Sequence, residues 1–199
     1  KNILIAITGF TLGHTLSFCL AVLGLISPAS SFVEATIGFS IFILGIEYLS
    51  KNKKIFNQYL FFMLIFWALF LLCFYYINGS YLIYGYFGLM IFGFSYLALS
   101  KNSKSLSFSL LITSLFGLVH GFGFGGYLSE VGLPDNVLYL ALIGFNLGVE
   151  FGQIIAALIF LFLLYLNKSL NLFSKNIIES LIAISLVSVG IFWFIQRSF

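Results

Sequence analysis

The sequence predicts an all-α, polytopic transmembrane helix bundle of about seven spans, with the amino terminus cytoplasmic and the carboxyl terminus outside. Three observations carry that prediction. Of 199 residues, 61% are hydrophobic and 8% charged, where an ordinary soluble domain carries roughly 25% charged residues. Polar breaks divide the chain into apolar runs, most of them near the roughly 20 residues that cross a bilayer. The lysines fall in alternate breaks, as they do when every second loop faces the cytoplasm. The same composition excludes disordered and disulfide-rich secreted classes. A net charge of +3, thinly spread, offers no nucleic-acid surface. Cys19 and Cys73 lie inside apolar runs without metal-type spacing and read as small core residues.

The runs fall at 3–26, 31–50, 56–77, 80–99, 106–126, 137–166 and 177–196. They make residues 1–199 a single integral membrane domain. Lys1, Lys51, Lys53, Lys54, Lys101, Lys104, Lys168 and Lys175 all fall on one side of a seven-span alternation, and Arg197 alone on the other. The first run is too long for the apolar core of a signal peptide and carries His14 at its middle, so it counts as a span. The chain starts at Lys1 rather than Met, and a missing upstream segment is expected. A faint repeat relates His14 to His120, Gly38-Phe39 to Gly144-Phe145, and Ser40 to Asn146 at one constant offset, as a parallel duplication of a two-helix unit would.

Carboxylates inside a bilayer are expensive, so each acid needs an account. Glu34 closes Ser31-Phe32-Val33-Glu34, a capping-box pattern at the start of the second span. Glu47 stands one turn before Lys51 and can pair with it at the interface. Glu130 and Asp135 belong to an outer loop, with Asp135 after Pro134 where a helix cap is expected. Glu179, three residues after Asn176, fits a variant of the same cap. Glu150 alone has no such account, lying about 20 Å below the outer end of the sixth span.

Asn146, Glu150 and Gln153 form one polar face of that span, and Gly144, Gly148 and Gly152 a small-residue stripe on roughly the opposite face. His14 shares a face with Thr11, Thr15 and Phe18, and His120 shares one with Thr113, Gly117 and Gly121. Counted from the outer ends, His120 lies about 9 Å deep, Asn146 about 14 Å, and His14 and Glu150 about 18 to 20 Å. Together they suggest a polar ladder toward the membrane centre, against the plainer reading of hydrogen bonds that glue helices. The short outer loop makes the fifth and sixth spans antiparallel neighbours. Of two packings, glycine stripe on glycine stripe or the Asn146/Glu150 face on His120, the second is expected because the first leaves Glu150 without His120.

Gly121-Phe122-Gly123-Phe124-Gly125-Gly126 satisfies the letters G-x-G-x-x-G, but no strand precedes it and no acid follows at the required distance, so a dinucleotide site is rejected. The glycines instead suggest that the fifth helix ends or breaks within the membrane, freeing carbonyls beside His120.

Three segments carry a resemblance: Gly9-Phe10-Thr11-Leu12-Gly13-His14-Thr15-Leu16-Ser17, Phe116-Gly117-Leu118-Val119-His120-Gly121-Phe122-Gly123-Phe124, and Gly144-Phe145-Asn146-Leu147-Gly148-Val149-Glu150-Phe151-Gly152-Gln153. Here the sequence resembles HupE/UreJ-type membrane proteins over essentially its whole length. The resemblance implies a multi-pass protein of the bacterial inner membrane, associated with nickel or cobalt uptake, in which His14, His120, Asn146 and Glu150 are the family-motif positions. Members of that family usually carry a further helix upstream with a Gly-x-Asp-His-like pattern, absent here, so a metal site read from this chain is incomplete on that account.

The leading expectation is a nickel/cobalt permease-like transporter, not an enzyme, with a metal site of His14, His120, Glu150 and Asn146 supported by Thr11 and Gln153. Neutral imidazoles suit Ni²⁺, Co²⁺ or Zn²⁺, and one carboxylate eases a divalent ion to the midplane. Glu150 would take up a proton as the ion leaves. Two alternatives stand beside it. In one, His14 and His120 ligate a haem iron axially. In the other, a His-bound zinc serves an intramembrane hydrolase with Ser40 as a weak nucleophile candidate, although catalytic zinc normally has three protein ligands. The expected partners are the lipid bilayer and a divalent ion as substrate, with a homo-oligomer left open and no nucleic acid.

Overall fold

The structure is a computed structural model and describes residues 2–50, 56–101, 105–132, 135–171 and 173–199. Among the described residues it contains the helices α1 (Asn2–Val22), α2 (Ser30–Leu49), α3 (Phe56–Asn78), α4 (Leu82–Ser100), α5 (Leu106–Val131), α6 (Asp135–Leu170) and α7 (Lys175–Ser198). All seven are long and apolar enough to cross a membrane. Each predicted span is therefore a helix.

Where the ends differ, local chemistry explains it. The first helix stops four residues earlier than its apolar run because Gly24 takes φ 67°. The Leu25 amide then donates to the Leu20 carbonyl and the Gly24 amide to Ala21, the paired bonds of a Schellman cap. Gly79 and Gly132 also adopt positive φ just beyond α3 and α5. Helix α5 begins at a true cap, the Ser105 side chain accepting from the Phe108 amide. Beyond α6, Asn171 adopts φ 51°, and the Asn167 amide exchanges two hydrogen bonds with the Phe173 backbone, at 3.0 and 3.1 Å, which pins the turn. The 36 residues of α6 make about 54 Å at 1.5 Å per residue, well beyond the roughly 30 Å hydrocarbon core.

One expectation about α5 is corrected. The helix α5 runs unbroken through Gly121–Gly126 to Val131, so no carbonyls are freed beside His120. Its glycines serve close packing instead. They do not meet the α6 stripe either: a Cβ on Gly144, Gly148 or Gly152 would find nothing within 4 Å.

Packing divides the chain into two compact units, one of residues 1–33 and 104–175, the other of 34–103 and 176–199. The first holds α1, α5 and α6. Here Gly9 and Gly13 of α1 face Leu110, Thr113 and Ser114 of α5, while Gly117, Gly121 and Gly125 face Phe10, His14 and Phe18 of α1. Residue numbers rise together along both helices, so the pair is parallel. A Cβ on Gly13 would stand 2.9 Å from the Leu118 nitrogen, closer than side chains are found, and only glycine permits this backbone approach.

The second unit joins α2 to α7 in the opposite sense, with Gly38 against Phe194, Gly190 against Phe42 and Gly45 against Val187. Phe194, fully buried, is the hub of its aromatic core. Its ring lies 4.7 Å from Phe70, 5.6 Å from Trp67, 5.8 Å from Tyr86 and 5.9 Å from Phe39, centroid to centroid, within the range that favours tilted and edge-on aromatic pairs.

Among the described residues the acids of this second unit have tertiary partners, which for Glu34 and Glu179 differ from the caps expected. Glu34 accepts from Arg197 Nε at 3.0 Å, Glu47 from the Tyr96 hydroxyl at 2.5 Å, and Glu179 from the Tyr48 hydroxyl. Tertiary partners thus replace the capping box at Glu34 and the terminal cap at Glu179. The Lys51 partner expected for Glu47 lies outside the described residues, as do Lys1, Lys53, Lys54, Lys104 and Pro134 and the side chains of Glu130 and Asp135. Cys73 is exposed on α3 rather than in a core, and Cys19 is half-buried.

Candidate functional site

The first unit collects every residue of the expected site. Parallel packing of α1 on α5 brings the two histidines to one side chain. The ring of Phe10 lies 6.0 Å from His14, nearly parallel to it, and 5.2 Å from His120 at a steep angle. His14 is 1% exposed. Three more rings surround it: Phe18 at 5.6 Å, Phe145 at 5.9 Å and Phe124 at 6.0 Å.

A polar seam joins α1 to α6. The Thr15 hydroxyl donates to Asn146 Oδ1 at 2.8 Å, and His14 Nδ1 lies 3.4 Å from the same oxygen. Farther along, the Thr11 hydroxyl donates to Gln153 Oε1 at 3.4 Å. Residue numbers rise on one helix as they fall on the other, so α1 and α6 are antiparallel. Glu150 lies on the same α6 face, one turn from each of the two contacts. It is half-buried, and among the described residues it makes no hydrogen bond or ion pair.

The structure thus joins His14 to Asn146 and Thr11 to Gln153. It does not set Asn146 against His120, which corrects the expected α5–α6 packing. His120 Nδ1 instead bonds the Phe116 carbonyl of its own helix at 2.8 Å, and α6 meets α5 through Phe145 and Phe124, 5.6 Å apart. The cause is the bulk of that aromatic pair beside a glycine stripe on α5 already occupied by α1. Among the described residues no three His, Cys, Asp or Glu side chains converge in the geometry of a metal site.

Three buried side-chain atoms among the described residues lack a hydrogen-bond partner, His14 Nε2, Trp67 Nε1 and Ser80 Oγ, and the first lies in this site. An unsatisfied buried polar atom is destabilising by about 1–3 kcal/mol, and most natural structures avoid it. The four phenylalanines that create this setting come from three helices, so the sequence alone does not show them as a cage. Part of the signal is there in Phe10, His14 and Phe18, which repeat every four residues on one helix face.

The two members of the proposed repeat end differently. The Ser40 hydroxyl is committed to the Ile37 carbonyl at 2.7 Å, whereas Asn146 reaches across to another helix. Nothing in this favours Ser40 as a nucleophile.

No curated protein and no solved structure is found to match this chain. The family model described as HupE / UreJ protein matches residues 1–76 and 67–197, which together run through nearly the whole sequence. With seven helices able to cross a membrane, the chain is a multi-pass membrane protein belonging to the HupE/UreJ family.

Proposed function

We propose that the protein carries a divalent transition-metal ion, of the nickel or cobalt kind, across a bacterial inner membrane, and that His14, His120 and Glu150 meet the ion with Asn146 beside them. Family membership supports the class of activity. The single observation that carries the site is the unpartnered Nε2 of His14, an imidazole nitrogen held ready inside a helix bundle. A neutral imidazole suits borderline divalent metals, and an unpaired Glu150 near the α1–α6 seam offers the negative charge that makes a divalent ion tolerable there.

The ring-lined setting of His14 is a closed state in this reading. The ion enters only as the phenylalanines turn aside, which supplies the second access state that a transporter requires. The lysine alternation supports a cytoplasmic amino terminus and an outer carboxyl terminus. Protons compete with metal for imidazole nitrogen, so binding weakens as pH falls.

The test is Ni²⁺ and Co²⁺ uptake into proteoliposomes. His14→Ala, His120→Ala and Glu150→Gln should each abolish uptake, while Glu34→Gln, in the other unit, should leave it intact. If all three substitutions behave like Glu34→Gln in folded protein, the polar seam is helix glue and the transport reading fails.

A further inference from the structure

We infer that Asn146 is a positioning residue rather than a ligand: it fixes the proton of His14 on Nδ1 and so leaves the Nε2 lone pair free for the ion. This rests on the transport reading above and assigns the donor atom within it. Asn146 Nδ2 lies 2.8 Å from the Leu142 carbonyl, and a carbonyl only accepts, so the NH₂ end of the amide must face Leu142. The other end, Oδ1, therefore faces α1. That oxygen accepts the Thr15 hydroxyl at 2.8 Å and has a second lone pair directed to His14.

Because Oδ1 can only accept, the His14 nitrogen 3.4 Å away must be the one that bears the proton. The contact is long, but its direction is unambiguous: an unprotonated Nδ1 would set two lone pairs face to face. A neutral imidazole with its proton on Nδ1 has its lone pair on Nε2. A second proton on Nε2 would make a buried cation whose donor meets only aromatic rings, which is the costlier arrangement.

His120 reaches the same state by a different route. Its Nδ1 bonds the Phe116 carbonyl at 2.8 Å, again an atom that only accepts, so its lone pair also lies on Nε2. Both histidines therefore present the same nitrogen. Metal-binding histidines commonly have the other ring nitrogen held in this way by an oxygen, and loss of such a holder weakens metal affinity about 10- to 100-fold. In His14 the holder is a side chain, open to substitution. In His120 it is backbone, which no substitution removes.

That asymmetry supplies the experiment. In metal-free protein labelled with ¹⁵N at histidine, the ring nitrogen signals report which nitrogen bears the proton. Both histidines should show the Nδ1–H form. Asn146→Leu should move His14 toward a mixture of forms and leave His120 unchanged, with an unaltered detergent-unfolding midpoint showing that the protein remains folded. Asn146→Asp retains an acceptor and should keep the Nδ1–H form. Co²⁺ affinity should fall about 10- to 100-fold in Asn146→Leu and be retained in Asn146→Asp. The inference is overturned if wild-type His14 shows the Nε2–H form, or if Asn146→Leu weakens Co²⁺ binding with the His14 signals unmoved, as a direct ligand would. If Asn146→Leu unfolds the protein, Thr15→Val serves in its place: it removes the competing donor to Oδ1, and the Nδ1–H form should persist. If the ring signals behave as stated but the wild type binds no Co²⁺, the transport reading fails and the proton assignment stands.

Discussion

The two units solve the same packing problem and then treat their polar groups in opposite ways. Each joins a pair of helices through glycines, α1 to α5 in one and α2 to α7 in the other. In the second unit Glu34, Glu47 and Glu179 have an arginine or a tyrosine against them. In the first, His14 Nε2 and the Glu150 carboxylate have none among the described residues. Close packing therefore does not by itself demand that polar groups be satisfied. What distinguishes the first unit is the kind of group left unpartnered, an imidazole nitrogen and a carboxylate, both of which can meet a divalent ion.

Trp67 sharpens the point, because its Nε1 is also buried without a conventional partner. It is a donor, however, and the faces of aromatic rings are electron-rich. Phe39, Phe70 and Phe194 meet Trp67 at steep angles of 65°, 87° and 70°, which lets an N–H point toward a ring as a weak acceptor. His14 Nε2 is a lone pair, and the rings of Phe18 and Phe145 lie nearly parallel to it, at 18° and 13°. No such ring face receives a lone pair. Ser80 Oγ, also in the second unit, is likewise buried without a partner among the described residues, so what sets His14 Nε2 apart is its chemistry, an imidazole nitrogen able to bind a metal.

The largest effect that can break this comparison is at the glycines. Gly117→Ala places a methyl against the Phe10 carbonyl and should lower stability by about 1–3 kcal/mol, as overpacking does. Gly148→Ala meets nothing within 4 Å and should be neutral or stabilising by up to about 1 kcal/mol. Unfolding of the two variants by denaturing detergent checks both, and equal losses would remove the claim that the two stripes differ in use.

Next in size is the Tyr96 hydroxyl. Tyr96→Phe strands Glu47 and should cost about 1–3 kcal/mol, measured the same way; a loss near zero would mean that Glu47 is satisfied elsewhere. By contrast, His14→Phe removes an unsatisfied atom from an aromatic cage and should hold stability or raise it, even as metal binding disappears. A loss as large as that of Gly117→Ala would identify His14 as structural. The smallest effect belongs to Arg197→Gln, because the pair with Glu34 is 47% and 40% exposed. About 0.2–1 kcal/mol is expected, and raised salt should shrink it.

The spans were legible in the sequence because length and apolarity alone define them. Their ends were less so: the apolar run through Ile26 hid the stop imposed by Gly24. The site was legible as a set of residues and not as a set of contacts. His14, Asn146, Glu150, Thr11 and Gln153 do share one seam, since polar residues a turn apart must face somewhere. Which helix they face was not legible. The glycines Gly117, Gly121 and Gly125 look the same in sequence whether they bend a helix, pack against α6 or pack against α1, and the choice is made by the bulk of side chains on three helices at once. Local capping patterns at Glu34 and Glu179 misled for the same reason, tertiary partners having outbid them.

In the proposed site two imidazoles of the first unit, each through Nε2, share one divalent ion. X-ray absorption of the Ni²⁺-loaded protein tests it most directly, because imidazole ligands scatter in a recognisable pattern. Two imidazoles per bound nickel are expected in the wild type and one in His14→Ala or His120→Ala at saturating metal. Nickel held by oxygen alone, or an unchanged spectrum after His14→Ala, would contradict that sharing.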